Sequence, residues 1–328
     1  MTTALAVRDL RVTYAPRKRP PVEAVRGVDF AVAEGEVFGL LGPNGAGKTS
    51  ALEVCEGFRP RTSGEVSVLG RDPGRRGHAS ALRREVGIVL QEVAVEPLLT
   101  VAEVLRRNAG YYERPREVTA VIDLVGLGPQ RDARVRSLSG GQQRRLDLAL
   151  GIIGNPRLLF LDEPTTGFDP GARQQAWETV RGLRELGTTI VLTTHYLEEA
   201  EALADRVVVL SGGLVVAAGA PDSLGGRADA PALVRFTLPP GSPAPPQLDG
   251  DEATGAGSTG VVGTGAGSTG VVGTGVVTVR TADATRTLHS LTGWALQRGL
   301  RLEGLVVERP SLEDVYLTLT APADGDPS

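Results

Sequence analysis

The segment Gly42-Pro43-Asn44-Gly45-Ala46-Gly47-Lys48-Thr49 limits what this chain can become more than any other. It fits the pattern GxxxxGK[ST], which carries chemistry only where it leaves a strand and opens a helix. Both conditions are met on the sequence: the run EVFGLLG leads into it, and a helix is expected from Gly47 to about Gly57. In that setting glycines let backbone N–H groups converge on phosphate oxygens, the helix N-terminus adds a favourable dipole, and the Thr49 hydroxyl can ligate Mg²⁺. Ser50 continues the same helix start. Lys48 would reach the β- and γ-phosphates as a compact point charge, a job for which the broad guanidinium fork of arginine is a poor substitute. The plain alternative is a Gly-rich turn with no ligand.

Composition strengthens the phosphate reading. Of 35 basic residues only Lys18 and Lys48 are lysine, and with 43 Gly and 22 Pro the bias points to a GC-rich bacterial genome. A lysine kept where arginine was the ready substitute marks a chemical requirement. Lys18, in the basic turn Arg17-Lys18-Arg19, has no such context.

Short β-like runs fill residues 3–41, and a strand EVSVLG is expected at 65–70. From Thr100 to Gly154 apolar residues recur at three and four positions, the helical period. LLFLD (158–162), TIVLTT (189–194) and RVVVL (206–210) are apolar runs of strand length between helical segments, as in parallel strands buried on both faces. The expected fold is α/β: a doubly wound core with an N-terminal antiparallel β layer and a helical subdomain over 1–225. A small α+β C-terminal domain should follow over 226–320. It is interrupted at about 239–275 by a Gly/Pro/Thr-rich insertion, expected to be disordered, in which TGAGSTGVVG occurs at 254–263 and again at 264–273. Residues 321–328 read as a disordered tail.

The run Leu158-Leu159-Phe160-Leu161 delivers two adjacent carboxylates, Asp162 and Glu163, to a strand's C-terminal end, where α/β folds place ligands. Asp162 can hold Mg²⁺ and Glu163 is then free to polarise an attacking water. A third element, Ser139-Gly140-Gly141-Gln142, opens a predicted helix with Ser139 as N-cap, a second anion-binding helix start. A single nucleotide has no use for it within the same subunit. The consequence is a dimer in which one chain supplies the phosphate loop and the other covers the γ-phosphate.

With LSGGQ lying between the other two motifs, the sequence resembles the ATP-binding subunit of an ABC transporter over residues 4 to about 225. The resemblance implies an ABC-type P-loop NTPase fold, ATP and Mg²⁺ as ligands, and roles at further positions. Tyr14 would stack on adenine, although a tyrosine ending a strand can simply pack. Gln91 in IVLQE would contact Mg²⁺ and water and report to the membrane partner. Gly167-Phe168-Asp169 would cross the dimer interface, with Phe168 replacing the usual leucine. His195 in LTTHYLEEAE would contact the γ-phosphate. His78 and His289 lack such a context and are expected to be solvated; Cys55 is expected to be buried as a small apolar residue.

The ending ERPSLEDVYLTLT is similar to that of the ABC-2 exporter ATPases, the daunorubicin/doxorubicin-resistance group. It implies a separately encoded transmembrane permease of six-helix type, an export direction, and an ATPase subunit held at the cytoplasmic face of the membrane, pairing with a second copy of itself. An importer ATPase would share the core motifs but carry a different C-terminal domain. A non-transport ABC protein would usually carry two ATPase domains or a long coiled coil. The remaining composition is exclusionary. One cysteine rules out a disulfide framework and a Cys-based zinc site, and a net charge of −4 gives no electrostatic footprint for nucleic acid. The start MTTALAVRDLRVTY has charges where a signal peptide needs an apolar stretch, and no run reaches the roughly 18–20 apolar residues of a spanning helix. Val207–Ala220 comes nearest, but Ser211-Gly212-Gly213 divides it into two short strands around a turn.

Overall fold

A computed structural model describes the chain except residues 1, 16–19, 90–94, 240–241, 244, 247–251, 257–274, 310 and 321–328. The described residues form two compact units, one from the chain up to Pro221 and the other from Asp222–Thr318. The boundary falls ahead of a 3-10 turn at Leu224–Asp229 rather than at 225.

The first unit runs β1 (Thr3–Tyr14), β2 (Val22–Ala33), β3 (Val37–Leu41), α1 (Lys48–Glu56), β4 (Ser63–Val68), α2 (Arg76–Glu85) and β5 (Val86–Val89). It continues with α3 (Val101–Ala109), α4 (Val118–Leu124), α5 (Gly140–Ile152), β6 (Leu158–Asp162), α6 (Pro170–Glu185), β7 (Thr189–Thr194), α7 (Leu197–Leu203), β8 (Arg206–Ser211) and β9 (Leu214–Gly219). Strands β5-β6-β7-β3-β8-β9 form one sheet in that order, parallel except for the closing β8–β9 hairpin. Strands β2-β1-β4 form the expected antiparallel layer. The strand expected at 65–70 starts and ends two residues earlier, because Leu69 and Gly70 both turn to positive φ (48° and 76°).

Period-2 alternation in strands with two covered faces builds two cores. Leu159 and Leu161 of β6, with Ile190 and Leu192 of β7, pack with α3, α4 and α5. Their neighbours Leu158, Phe160 and Val191 point the other way, onto α1 and the antiparallel layer, where Cys55 is buried. Helix ends follow the sequence: Thr100 with Glu103, and Ser139 with Gln142, close reciprocal capping boxes. His78 departs from expectation. It is half-buried, and its Nδ1 accepts a hydrogen bond from the Asp72 backbone N–H at 3.1 Å, which pins the turn before α2.

The second unit holds β10 (Ala232–Leu238), β11 (Glu252–Ala256), β12 (Gly275–Thr281), α8 (Ala284–Gln297), β13 (Glu303–Glu308) and α9 (Leu312–Thr320), with an antiparallel sheet ordered β11-β12-β10-β13. Its core is Val234, Phe236, Val277 and Val279 against Leu291 and Trp294 of α8. Ser311 caps α9, accepting from the Asp314 N–H at 3.1 Å. The insertion expected to be disordered over 239–275 contributes β11, paired antiparallel with β12 from Glu252↔Arg280 to Ala256↔Val276. Edge pairing needs only backbone donors and acceptors, which a small-residue segment supplies as well as any other. The rest of the duplicated repeat, Lys18 and the 321–328 tail lie outside the described residues.

Glu56, at the end of α1, has a buried Oε1 with no hydrogen-bond partner among the described residues. Burial, aided by Asp162 and Glu53, raises its carboxyl from 4.5 to about 7. The folded chain therefore keeps a proton there that the unfolded chain loses near pH 4.5, so this group's contribution to stability falls as pH rises from about 4.5 to 7. Glu56→Gln is expected to leave the melting midpoint unchanged at pH 4 and to raise stability at pH 8 by about 2–3 kcal/mol; thermal melts across that range measure it.

Candidate functional site

Helix α1 opens without a side-chain cap, from Gly47 at φ 101°, so its first-turn N–H groups are left for an anion. A Cβ on Gly47 would lie 2.3 Å from the Ala24 carbonyl oxygen of β2, and one on Gly42 would lie 2.4 Å from that of Leu210 in β8. Only glycine fits either place. Gly45 faces open space, and Pro43, Asn44 and Thr49 are exposed around it, while Ala46 and Ser50 are buried. The loop is tied to the β8–β9 turn by the Gly213 N–H, which donates to Ala46 O at 3.2 Å. Lys48 is buried, with Nζ donating to Gly42 O at 2.5 Å and Pro43 O at 3.1 Å. Burial lowers its pKa, against the opposing pull of Glu163 and Asp162.

The acidic pair stands at the end of β6, next to β7, which in turn lies next to β3 and the loop it feeds. Asp162 Oδ1 accepts from the Thr193 hydroxyl of β7. Glu163 takes a left-handed backbone (φ 46°) that carboxylate side chains visit only under constraint, and its N–H is held by Thr193 O and Oγ1, each at 3.1 Å. The Glu163 carboxylate is held in turn: Oε2 accepts from the Thr166 hydroxyl at 3.1 Å and Oε1 lies 3.4 Å from His195 Nδ1.

At the start of α5 the capping box occupies Ser139 and Gln142 with each other, at 3.3 and 2.9 Å, leaving Gly140 and Gly141 facing open space. Arg144, one turn on, donates to the carbonyls of Asp162 (2.9 Å) and Glu163 (3.2 Å). Burial lowers its pKa, opposed by Asp147, Asp162 and Glu163. A cleft is lined by Gly140, Gly141, Arg144, Asp147, Glu163 and Thr166, and burial lifts Asp147 to about 6 there. Asp169 spends its carboxylate on capping α6, accepting from the Ala172 N–H at 2.9 Å. Tyr14 hydrogen-bonds Ser50 Oγ through its hydroxyl (2.8 Å) and carries the Arg59 guanidinium 4.5 Å from its ring centroid.

The structure thus gathers Lys48, Asp162, Glu163 and His195 at three adjacent strand ends, and Gln91 lies outside the described residues. Sequence reasoning missed Thr193, Thr166 and Arg144, which hold the acidic pair. Their only signals were a threonine pair ending an apolar run and an arginine just past LSGGQ. No cluster of three His, Cys, Asp or Glu forms among the described residues. The oxygen donors Thr49 and Asp162 suit a hard divalent cation that keeps most of its ligands as water and phosphate.

A family model described as ABC transporter matches residues 25–166, and a second, for the C-terminal domain of ABC transporter domain-containing proteins, matches 232–311. The linearmycin resistance ATP-binding protein LnrL of Bacillus subtilis is 31% identical over 301 residues, covering 90% of this chain and 93% of that protein. The Nod factor export ATP-binding protein I of Burkholderia thailandensis is 46% identical over 206 residues (61% of this chain, 67% of that one). The daunorubicin/doxorubicin resistance ATP-binding protein DrrA of Streptomyces peucetius is 43% identical over 206 residues, covering 61% and 62%. Among solved structures, cbiO1 from Clostridium perfringens superposes with a TM-score of 0.59 at 26% identity, over 68% of this chain and 90% of that one. A dimeric ATP-binding cassette bound to ADP and phosphate gives 0.60 at 24%, over 66% and 98%, a likeness of fold.

Thr193 is fully buried and serves both carboxylate residues. Thr193→Val is expected to cost about 1–3 kcal/mol of stability by leaving buried polar groups unpaired. Turnover should fall about tenfold or more through misplacement of Asp162 and Glu163. Chemical denaturation and phosphate-release rates measure the two.

Proposed function

The chain belongs to the ABC transporter family of ATP-binding, ATP-hydrolysing proteins, and we propose that it powers an exporter by closing and opening a pair of such cassettes beneath a separate permease. Cassettes of this family work as dimers with a membrane-spanning partner. No described helix here is long and apolar enough to cross a membrane. The observation that carries the catalytic reading is the meeting of Lys48, Asp162, Glu163 and His195 at the ends of β3, β6 and β7.

In that reading the N–H groups of Gly42 to Ser50 and the Lys48 amine take the phosphates, with the amine leaving its loop carbonyls for them, and Tyr14 lies against the base. Mg²⁺, when bound, would be held by Thr49 and Asp162, with Gln91, and would neutralise phosphate charge. Glu163 accepts the proton of the attacking water, and His195 steadies the Glu163 carboxylate and reaches the γ-phosphate. Gly140, Gly141 and the Ser139–Gln142 box of the opposing copy cover that phosphate, while Asp169 fixes the crossing segment. Differential binding of ATP to the closed pair supplies the stroke. Support for export comes from the C-terminal unit, which matches its own family model, and from the LnrL-like relative spanning both units. The relatives are named for linearmycin resistance, daunorubicin/doxorubicin resistance and Nod factor export, which supports an outward direction of transport.

Glu163→Gln should keep ATP binding and lose about 10²–10⁴-fold in turnover, the size of a general-base contribution; near-normal turnover would remove Glu163 from this role. Lys48→Arg should impair hydrolysis despite the retained charge. Ser139→Arg and Lys48→Ala chains, each inactive alone, should recover partial activity when mixed, since each mixed dimer keeps one intact shared site. An absence of recovery would show that sites are not shared between copies. Co-purification with a candidate permease, and efflux assays on the pair, test the export direction.

A further inference from the structure

His195 does not stand alone on its loop. Its ring lies 4.1 Å (centroid to centroid, 38° between planes) from that of Tyr196, and the Arg173 guanidinium sits 4.5 Å from the Tyr196 ring centroid. Arg173 belongs to the first turn of α6, its N–H donating at 3.0 Å to the carbonyl of Asp169, the residue that caps the helix. Its Nε is buried without a hydrogen-bond partner among the described residues, and its nearest recorded acid, Glu198 at 3.8 Å, is 79% exposed. The cation therefore rests on the tyrosine ring and is attracted by the buried Glu199 carboxylate.

One turn further along α6, Trp177 Nε1 donates at 3.3 Å to Glu199 Oε1. Glu199 is fully buried at the start of α7, and burial pushes its carboxyl up. Tyr196 is fixed from below as well, its N–H donating to Thr194 Oγ1 at 2.9 Å. Two successive turns of α6 thus grip the residues immediately after His195, and α6 begins at the Gly167-Phe168-Asp169 segment.

We infer that Arg173 and Tyr196 are positioning residues for His195: the cation–ring–imidazole stack sets the distance between His195 Nδ1 and the Glu163 carboxylate, and it ties that distance to the placement of the segment that opens α6. This rests on the proposed role of His195 in hydrolysis. Among the described residues no hydrogen bond or ion pair joins Tyr196 or Arg173 to the phosphate loop or to Glu163, so they act through His195 and leave nucleotide binding to Lys48 and its loop.

The test uses the full-length chain and measures kcat, KM for ATP, ATP binding and thermal melting. His195→Ala is run first; normal turnover there would overturn the catalytic reading itself. With His195→Ala impaired, Arg173→Met and Tyr196→Leu should lower kcat roughly tenfold, the scale of one lost cation–ring contact, while KM stays within about twofold. Arg173→Lys and Tyr196→Phe, which keep a cation and a ring, should recover most of kcat. The double variant Arg173→Met/Tyr196→Leu should be no slower than the worse single one, because both break one stack. The imidazole resonances of His195, assigned by comparison with His195→Ala, should shift in both disruptive variants. Unchanged kcat in Arg173→Met, or equal losses in Arg173→Met and Arg173→Lys, or losses that track KM, would each overturn the inference while leaving the role of His195 intact. Should Arg173→Met fail to fold, Arg173→Gln reads the same contact with the same expected loss.

Discussion

The site depends on a backbone packed too closely for any side chain. At Gly47 the phosphate loop presses on the carbonyl of Ala24 in β2, at Gly42 on that of Leu210 in β8, and Ala46 is tied to the β8–β9 turn. The loop is wedged between the antiparallel layer and the far edge of the parallel sheet, and its N–H groups point where the packing sends them. An anion site built this way is organised before the anion arrives, so binding spends little on ordering the loop. The same wedge explains why the β1-β2-β4 layer matters to chemistry although it contributes only Tyr14 to the predicted site residues.

Charge is distributed with equal economy of movement. Lys48 is buried, which alone would favour its neutral form, and the two carboxylates at the end of β6 offset that penalty. Those carboxylates cannot place themselves: Thr193 reaches across from β7 and Arg144 down from α5. Arg144 donates to the main-chain carbonyls of Asp162 and Glu163, so it fixes their backbone while its charge also attracts their carboxylates. The helix that carries the LSGGQ segment is in this way joined to the acidic strand of its own chain, while its glycines face open space.

Much of this was legible along the chain. The strands at 158–162 and 189–194 stand where their apolar runs placed them, because strands buried on both faces leave little latitude in composition. The Ser139 cap was legible too, since a capping box is local chemistry spanning four residues. The edge strand β11 was not, because backbone pairing leaves no mark on the short sequence Glu-Ala-Thr-Gly-Ala. Asp169 also reads differently in three dimensions, as the residue whose carboxylate caps α6.

What the sequence by itself determined is the chemistry available: a lysine among arginines in a glycine loop, a pair of carboxylates after four apolar residues, a capped helix start, and a histidine after a buried strand. Each is a pattern set within a few residues by backbone geometry and hydrogen bonding, and such patterns survive being read in one dimension. Only the tertiary structure decided which distant groups hold them. Thr193 under Asp162, Arg144 across Glu163, and Arg173 on the ring beside His195 are pairings of residues that lie 19 to 31 positions apart. They exist because parallel strands bring their carboxyl ends together while the helices between them return over the same edge, a coincidence in space to which no local spacing points.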